Sequence, residues 1–232
     1  SADPTSPSYD PTSEHVGKVV YNVQGKPIAT ATTIKLGNYN PDWLAGIYNT
    51  FRFKGLSFGF LFDVRQGGEV YSQTQTVGRE GGIIEETLEG RANGYDLSLP
   101  ENGVIGDGVI PITDGGGNIT GYSANDVKLS AREWHSSITL GRRIKEPMVY
   151  DASFVKLREV KFGYTLPNAL LKGLPFRDLN LSVVGRNLLL WTDVPHIDPE
   201  TASNAGGTII PGVESVAMPS SRSYGFNLSF KL

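Results

Sequence analysis

Residues 43–65 read Trp43-Leu44-Ala45-Gly46-Ile47-Tyr48-Asn49-Thr50-Phe51-Arg52-Phe53-Lys54-Gly55-Leu56-Ser57-Phe58-Gly59-Phe60-Leu61-Phe62-Asp63-Val64-Arg65. In the second half Leu56, Phe58, Phe60, Phe62 and Val64 alternate with Ser57, Gly59, Leu61, Asp63 and Arg65. A period of two puts the first set on one face of a strand, whereas a helix would scatter those rings around its axis. The first half alternates in the same way through Trp43, Ala45, Ile47, Asn49, Phe51 and Phe53, and Lys54-Gly55 between the halves has the chemistry of a two-residue hairpin turn.

The pattern recurs downstream. Val160, Phe162 and Tyr164 share a face against Glu159, Lys161, Gly163 and Thr165. Leu157 has the wrong parity for that face, which predicts a bulge near Arg158. Between 179 and 191, Leu179, Leu181, Val183, Leu189 and Trp191 alternate with Asn180, Ser182, Val184 and Arg186, and Gly185-Arg186-Asn187 weakens the middle. The last run, 220–232, places Tyr224, Phe226, Leu228, Phe230 and Leu232 opposite Ser223, Gly225, Asn227, Ser229 and Lys231. Before the first hairpin, Val16 to Val23 and Ile28 to Leu36 read as short β-like pieces around the turn Gln24-Gly25-Lys26-Pro27. Residues 1–15, rich in Pro, Ser and Thr, read as a solvated lead-in. Residues 66–148 hold many glycines and little sustained periodicity, and read as a long irregular insert.

Alternating strands suit either a soluble sandwich with one wet face or a barrel with lipid outside and water inside. These strands run to about 10 residues, near the roughly 9–11 that cross a bilayer at a tilt and longer than the about 5–6 usual in sandwiches. Connections alternate short and long (54–55, 66–148, 166–178, 192–219), and Trp43, Tyr164, Trp191 and Tyr224 sit near strand ends, where interfacial girdles lie. The expected fold is all-β: about the last five antiparallel strands of a transmembrane barrel with long extracellular loops. Five strands cannot close, and an open edge in lipid leaves backbone groups unpaired, so the chain reads as a fragment.

Bulk properties agree. With 232 residues, a net charge of −3 and no cysteine, the chain has no broad cationic surface for nucleic acid and no thiolate site. No stretch approaches the roughly 20 apolar residues of a spanning helix. Ser1-Ala2-Asp3-Pro4 carries no visible export signal, so either one was removed or the chain starts inside a longer protein.

Leu36-Gly37-Asn38-Tyr39-Asn40-Pro41-Asp42-Trp43, Asp63-Val64-Arg65-Gln66-Gly67-Gly68, Asp151-Ala152-Ser153-Phe154-Val155-Lys156-Leu157-Arg158-Glu159-Val160 with Gly163-Tyr164-Thr165-Leu166-Pro167, Gly185-Arg186-Asn187-Leu188, Asp198-Pro199-Glu200-Thr201 and Arg222-Ser223-Tyr224-Gly225 follow one another along the chain. In that order they resemble the characteristic blocks of the SusC/RagA family, the TonB-dependent outer-membrane transporters of Bacteroidetes. The resemblance implies a 22-stranded barrel with an N-terminal plug that contacts TonB. It also implies a SusD-like surface lipoprotein capping the mouth, and import of glycans or peptides (oligosaccharide or peptide cargo). Residues 1–42 would then be an extracellular loop segment, 43–65 a transmembrane hairpin and 66–148 a long extracellular loop. Residues 149–232 would supply three further strands, with a periplasmic turn at 166–178 and an extracellular loop at 192–219.

Transport of this kind calls for no covalent chemistry and no cofactor in this chain. Tyr71, Tyr95, Tyr122 and Trp134 are loop aromatics able to stack on sugars, or to pack among themselves. Tyr48, Arg52, Asp63, Arg65, Glu159 and Arg186 fall on the polar parity and are expected to face the lumen or to bond neighbouring strands, since Arg on the lipid face costs about 2–4 kcal/mol. His15, His135 and His196 are too scattered for a metal site, and Asp114–Asn118 lacks the full spacing of a Ca²⁺ loop. Asp198 and Glu200 suit turn-setting better than a glycosidase pair. Two other readings stay open: a soluble secreted β-sandwich that binds glycans, and a hydrolase using Asp198.

Overall fold

Five long strands pair into one antiparallel sheet: β1 (Trp43–Phe53), β2 (Leu56–Gln66), β3 (Phe154–Thr165), β4 (Arg177–Thr192) and β5 (Ser223–Lys231), in the spatial order β5-β4-β3-β2-β1. The computed structural model describes residues 14–94, 96–99, 101–139, 141, 143–173, 175, 177–200, 203–205 and 208–231, with backbone alone at 203–205 and 208. Tyr95, Thr201 and Leu232 lie outside the described residues. The chain divides into two compact units, one built from the sequence up to Leu36 with Gln73–Val149, the other from Gly37–Ser72 with the chain from Tyr150 onward.

The sheet belongs to the second unit. At the β1–β2 hairpin Lys54 (φ 46°) and Gly55 (φ 85°) both take positive φ, the signature of a primed turn whose twist matches the strands. Its register matches Ile47 to Phe62, Asn49 to Phe60 and Phe51 to Phe58. The next pairings align Phe62 with Leu157, Phe60 with Val160 and Phe58 with Phe162, then Phe162 with Val183 and Val183 with Phe226. Directly opposed residues share a face, so one apolar surface runs unbroken across all five strands. It is not covered: Phe53 and Phe226 are each 68% exposed and Tyr224 76%. Stacked and tilted rings link Phe51, Phe58, Phe60, Phe62 and Trp191 along it. Among the described residues no second sheet buries these phenylalanines, as a sandwich would require.

The bulge near Arg158 is present, and it is one of a nested pair. Both partner registers pass from Leu157 directly to Glu159. The apolar step that β2 makes between Phe60 and Phe62 takes one extra residue on β3, from Val160 back to Leu157. On β4 it takes a further one, from Gly185 to Leu189. Leu157 is thereby restored to the apolar face.

Within the second unit, Val70, Ala152 and Val194 form a small core flanked by Tyr150 and Ile197. Ser72 donates to the buried carboxylate of Glu214 at 2.8 Å, where Val213–Glu214 pairs with Glu69–Ser72. Ser153 ties the start of β3 to its neighbours: its hydroxyl accepts from Gly67 N–H at 2.8 Å and donates to Asp151, and its carbonyl accepts from Thr192.

The first unit departs from the sequence reading. Residues 66–148 are not an irregular insert. They contain helices α1 (Gln73–Gly81) and α2 (Ala131–Thr139) and a hairpin of Gly108–Thr113 with Ile119–Ala124. α2 begins with a capping box: Ser130 Oγ donates to Glu133 Oε2 at 2.8 Å while Glu133 N–H reaches back to Ser130 Oγ. Gly106 and Gly108 face Tyr21 and Trp134 so closely that a Cβ at Gly106 would lie 2.5 Å from the Tyr21 ring and 2.6 Å from Trp134. Of the two β-like pieces expected before residue 37, the first is reduced to Val19–Val20, paired in parallel with Gly108–Val109, and Ile28–Leu36 forms no strand. Only its first residue is tied in, the Ile28 N–H donating to the Val20 carbonyl at 2.9 Å; beyond it no strand pairs with this piece among the described residues, and β-propensity without a ladder does not make a strand.

Candidate functional site

The sheet's other face concentrates the charge. Lys156 on β3 is 2% exposed and donates to Asp198 at 2.7 and 2.8 Å and to Glu200 at 2.5 Å. Arg158, the bulged residue, binds Asp63 on β2 at 2.8 and 3.0 Å and grips Glu200 with both terminal nitrogens. Asp198, 3% exposed, also accepts from Ser220 Oγ at 2.6 Å and from the Glu200 N–H at 3.1 Å. Two cations and three carboxylates thus hold the loop that follows β4 against the polar face.

The bulge explains the geometry. A regular strand would alternate Arg158 to the apolar side; with the extra residue, Arg158 and Glu159 both lie opposite Leu61, and Arg158 reaches Asp63. Asp63 stands in register with Lys156, yet Lys156 turns to the loop because Arg158 occupies Asp63. Burial pushes the Asp198 carboxyl up, but hydrogen bonds from Lys156 and Ser220 outweigh it and hold it below the usual carboxylate range. Glu200 behaves alike, its burial outweighed by Arg158 and Lys156. A general acid needs the opposite displacement, so these two carboxylates suit the anions of a latch better than an acid–base pair.

The residues assigned to the polar parity are all on this face. Glu159 pairs with Arg186 across β3–β4 at 2.9 Å. Arg65 donates to the Tyr39 carbonyl at 2.6 Å and to that of Gly67 at 3.3 Å, fixing the segment that enters β1. The Tyr48 hydroxyl accepts from Thr50 at 3.0 Å, and Arg52 lies in register with Ser57. Asn187, in the left-handed conformation (φ 51°), donates to the Ser221 carbonyl and so anchors the approach to β5.

Of the four loop aromatics, Tyr95 lies outside the described residues, and Trp134 and Tyr122 pack on different neighbours within the first unit. Trp134 stacks on Tyr21 at 6.2 Å, with its indole N–H buried and without a hydrogen-bond partner among the described residues. Tyr122 packs on His15 at 5.5 Å. Tyr71 belongs to the second unit, on the short strand Glu69–Ser72. His135, on α2 and 2% exposed, contacts Arg79 of α1 and the Glu89 carbonyl. Asp114–Asn118 is a closed turn in which Asp114 accepts from Gly116 and Asn118.

From sequence, Asp198 and Glu200 read as turn-formers. That role is real, since Asp198 caps the Glu200 N–H, but it misses Lys156 as their main partner. A lysine flanked by apolar Phe154, Val155 and Leu157 is the available signal, because such a lysine needs a carboxylate when buried.

No protein-family model matches the chain. It is 28% identical over 212 residues to TonB-dependent receptor P26 of Formosa agariphila and 26% identical over 208 residues to TonB-dependent receptor P3 of the same organism. Each match covers 88% of this chain and 18% of the relative, so the chain spans less than a fifth of the length of these curated relatives. It shares its fold with a chain of the RagAB peptide importer. In the 'open-open' state the TM-score is 0.53 at 18% identity, covering 84% of this chain and 17% of that one. In the 'closed-closed' state it is 0.51 at 17% identity, covering 92% and 20%.

Proposed function

We propose that this chain, a segment of the SusC/RagA type of TonB-dependent transporter, forms part of the wall of an outer-membrane import pore. One observation carries the reading: an uncovered aromatic and aliphatic face continues in register over five strands, backed by a face of charge and small residues. Water on the first face would be unfavourable by about 25 cal/mol per Å² of apolar surface, whereas acyl chains accept it. The edge strands β1 and β5 have further strands as their natural partners, because unpaired backbone groups in lipid cost several kcal/mol each. In this reading the Lys156–Asp198–Glu200–Arg158–Asp63 latch holds the loop after β4 against the lumen side of the wall.

The whole transporter would import an oligosaccharide or peptide, capped by a SusD-like surface lipoprotein and opened through a plug that engages TonB. Support comes from the TonB-dependent receptors among the relatives and from the fold shared with a chain of a peptide importer. In that assembly 1–42, 66–148 and 192–219 are extracellular and 166–178 periplasmic. Tyr71, Tyr95, Tyr122 and Trp134 serve as loop aromatics on that side. The test is behaviour in detergent. Purified alone, the chain is expected to aggregate unless detergent or the remaining strands are supplied; a detergent-free monomer with a cooperative melt would contradict it and favour the soluble glycan-binding module. Uptake of labelled oligosaccharides and peptides by cells with and without the full transporter assigns the cargo class.

A further inference from the structure

We infer that the nested bulges of β3 and β4 build a groove on the lipid-facing side that seats one acyl chain of a phosphate-bearing membrane lipid, with the phosphate at Arg222. The inference rests on the reading of that face as the lipid face. A depression of about 560 Å³ is lined by Val160, Phe162, Val183, Leu188, Tyr224 and Phe226, with Gly185 at its floor. Its volume lies within the roughly 300–1,000 Å³ of small-molecule sites.

The floor exists because Gly185 stands in register between Val160 and Tyr224 and carries no side chain there. Leu188, delivered to the same face by the extra residue of β4, folds over it: a Cβ on Gly185 would lie 2.8 Å from Leu188 Cδ2. The lining is apolar except for the Tyr224 hydroxyl. A gap beside packed rings forfeits their dispersion contacts, and within hydrocarbon the flexible chain of a neighbouring lipid is the available filler. Bulk lipid is as apolar as the groove, so shape alone gives little preference. A cation supplies the rest. Arg222 is exposed, makes no hydrogen bond or ion pair among the described residues, and precedes Tyr224 by two residues, roughly 7 Å of extended chain. An acyl chain in the groove and a phosphate beside Arg222 satisfy both features with one molecule.

The experiment uses the full transporter in detergent, titrated with phosphatidylglycerol and read by native mass spectrometry as lipid retained per protein. Val183→Trp and Gly185→Leu fill the groove. The second keeps the backbone because only the far end of Leu188 has to move. Retention at sub-saturating lipid is expected to fall about tenfold in both, since a filled groove removes the contacts outright. Arg222→Gln should lower it about fivefold, the worth of one cation at an anionic lipid surface. Ile47→Trp, on the same face outside the groove, should match wild type. Equal retention in all variants overturns the groove while leaving the barrel wall intact. So does a change in the number of transporter copies per particle in place of a change in lipid, which would make the occupant a second copy. A protein that stays soluble without detergent and retains no lipid in any form overturns the wall itself.

Discussion

The two faces of the five-stranded sheet are built on opposite plans. The apolar face is redundant: every strand contributes several large side chains, and the same contact type repeats from Phe51 to Phe226. The polar face is concentrated. Its order depends on five charged groups around Lys156 and Arg158. The difference teaches that hydrocarbon contact needs only a pattern, whereas seating a loop on the wet side needs specific partners at specific distances. A change to the first face should therefore matter by its chemistry, and a change to the second by its position.

The largest effect is expected from Lys156→Ala, which leaves Asp198 buried without its cation. Unfolding of the full transporter in urea from vesicles should show a loss of about 3–5 kcal/mol. Lys156→Met paired with Asp198→Leu should recover much of it, since apolar replacement of a buried pair is close to neutral. If the single change costs under about 1 kcal/mol, the loop is not held by this cluster.

Next comes the other face. Phe60→Arg should cost about 2–4 kcal/mol near the bilayer centre, while Phe60→Leu should cost far less. An arginine tolerated at Phe60 would place that residue in water and break the contrast between the faces.

Acid should act on the latch before it acts on the apolar face. The Asp198 and Glu200 carboxyls are held below their ordinary values of 3.8 and 4.5. A depressed folded value stabilises above the unfolded one, so the contribution is full at neutral pH and fades as pH falls below about 4.5. Hydrogen-exchange protection factors in residues 193–200, corrected for the intrinsic rate at each pH, should therefore fall on acidification within that window and stay flat between pH 5 and 8. A loss of protection already under way between pH 5 and 8 would rule these two carboxylates out as the titrating groups.

The smallest effect is expected from Arg186→Gln. The Glu159–Arg186 pair is largely solvated, with the arginine side chain 62% exposed, and its loss should change stability by less than about 1 kcal/mol. Double-mutant analysis with Glu159→Gln measures it directly.

How much of this can be read from residue order follows the same division. The strands and their faces are legible because period two survives in Leu56–Val64 and Tyr224–Phe230 without any knowledge of the partner strand. Even the bulge at Arg158 is legible, from the parity of Leu157 alone. The matching bulge on β4 is visible only as a weakening at Gly185-Arg186-Asn187, since its extra residue is defined by register with β3. Lys156 and Asp198 are 42 residues apart, and their meeting depends on how the loop after β4 folds back, which no local pattern encodes. The helices escape notice for different reasons. α1 interrupts its helix-formers with Thr74, Thr76, Val77, Gly78 and Gly81, all of low helix propensity, and is held by contacts such as Arg79 with His135. α2 does carry a local signal, the Ser130-Ala131-Arg132-Glu133 capping box, hidden among glycine-rich turns.

The most direct measurement of the central claim is solvent accessibility along β2 in the full transporter, reconstituted in lipid vesicles with all native cysteines removed. Single cysteines at 57–62 would be spin-labelled and probed with molecular oxygen, which concentrates in hydrocarbon, and with a water-soluble nickel chelate. A strict alternation is expected, with positions 58, 60 and 62 favouring oxygen and 57, 59 and 61 favouring the chelate. Labels at 58, 60 and 62 that are reached by the chelate, or by neither reagent, would contradict it.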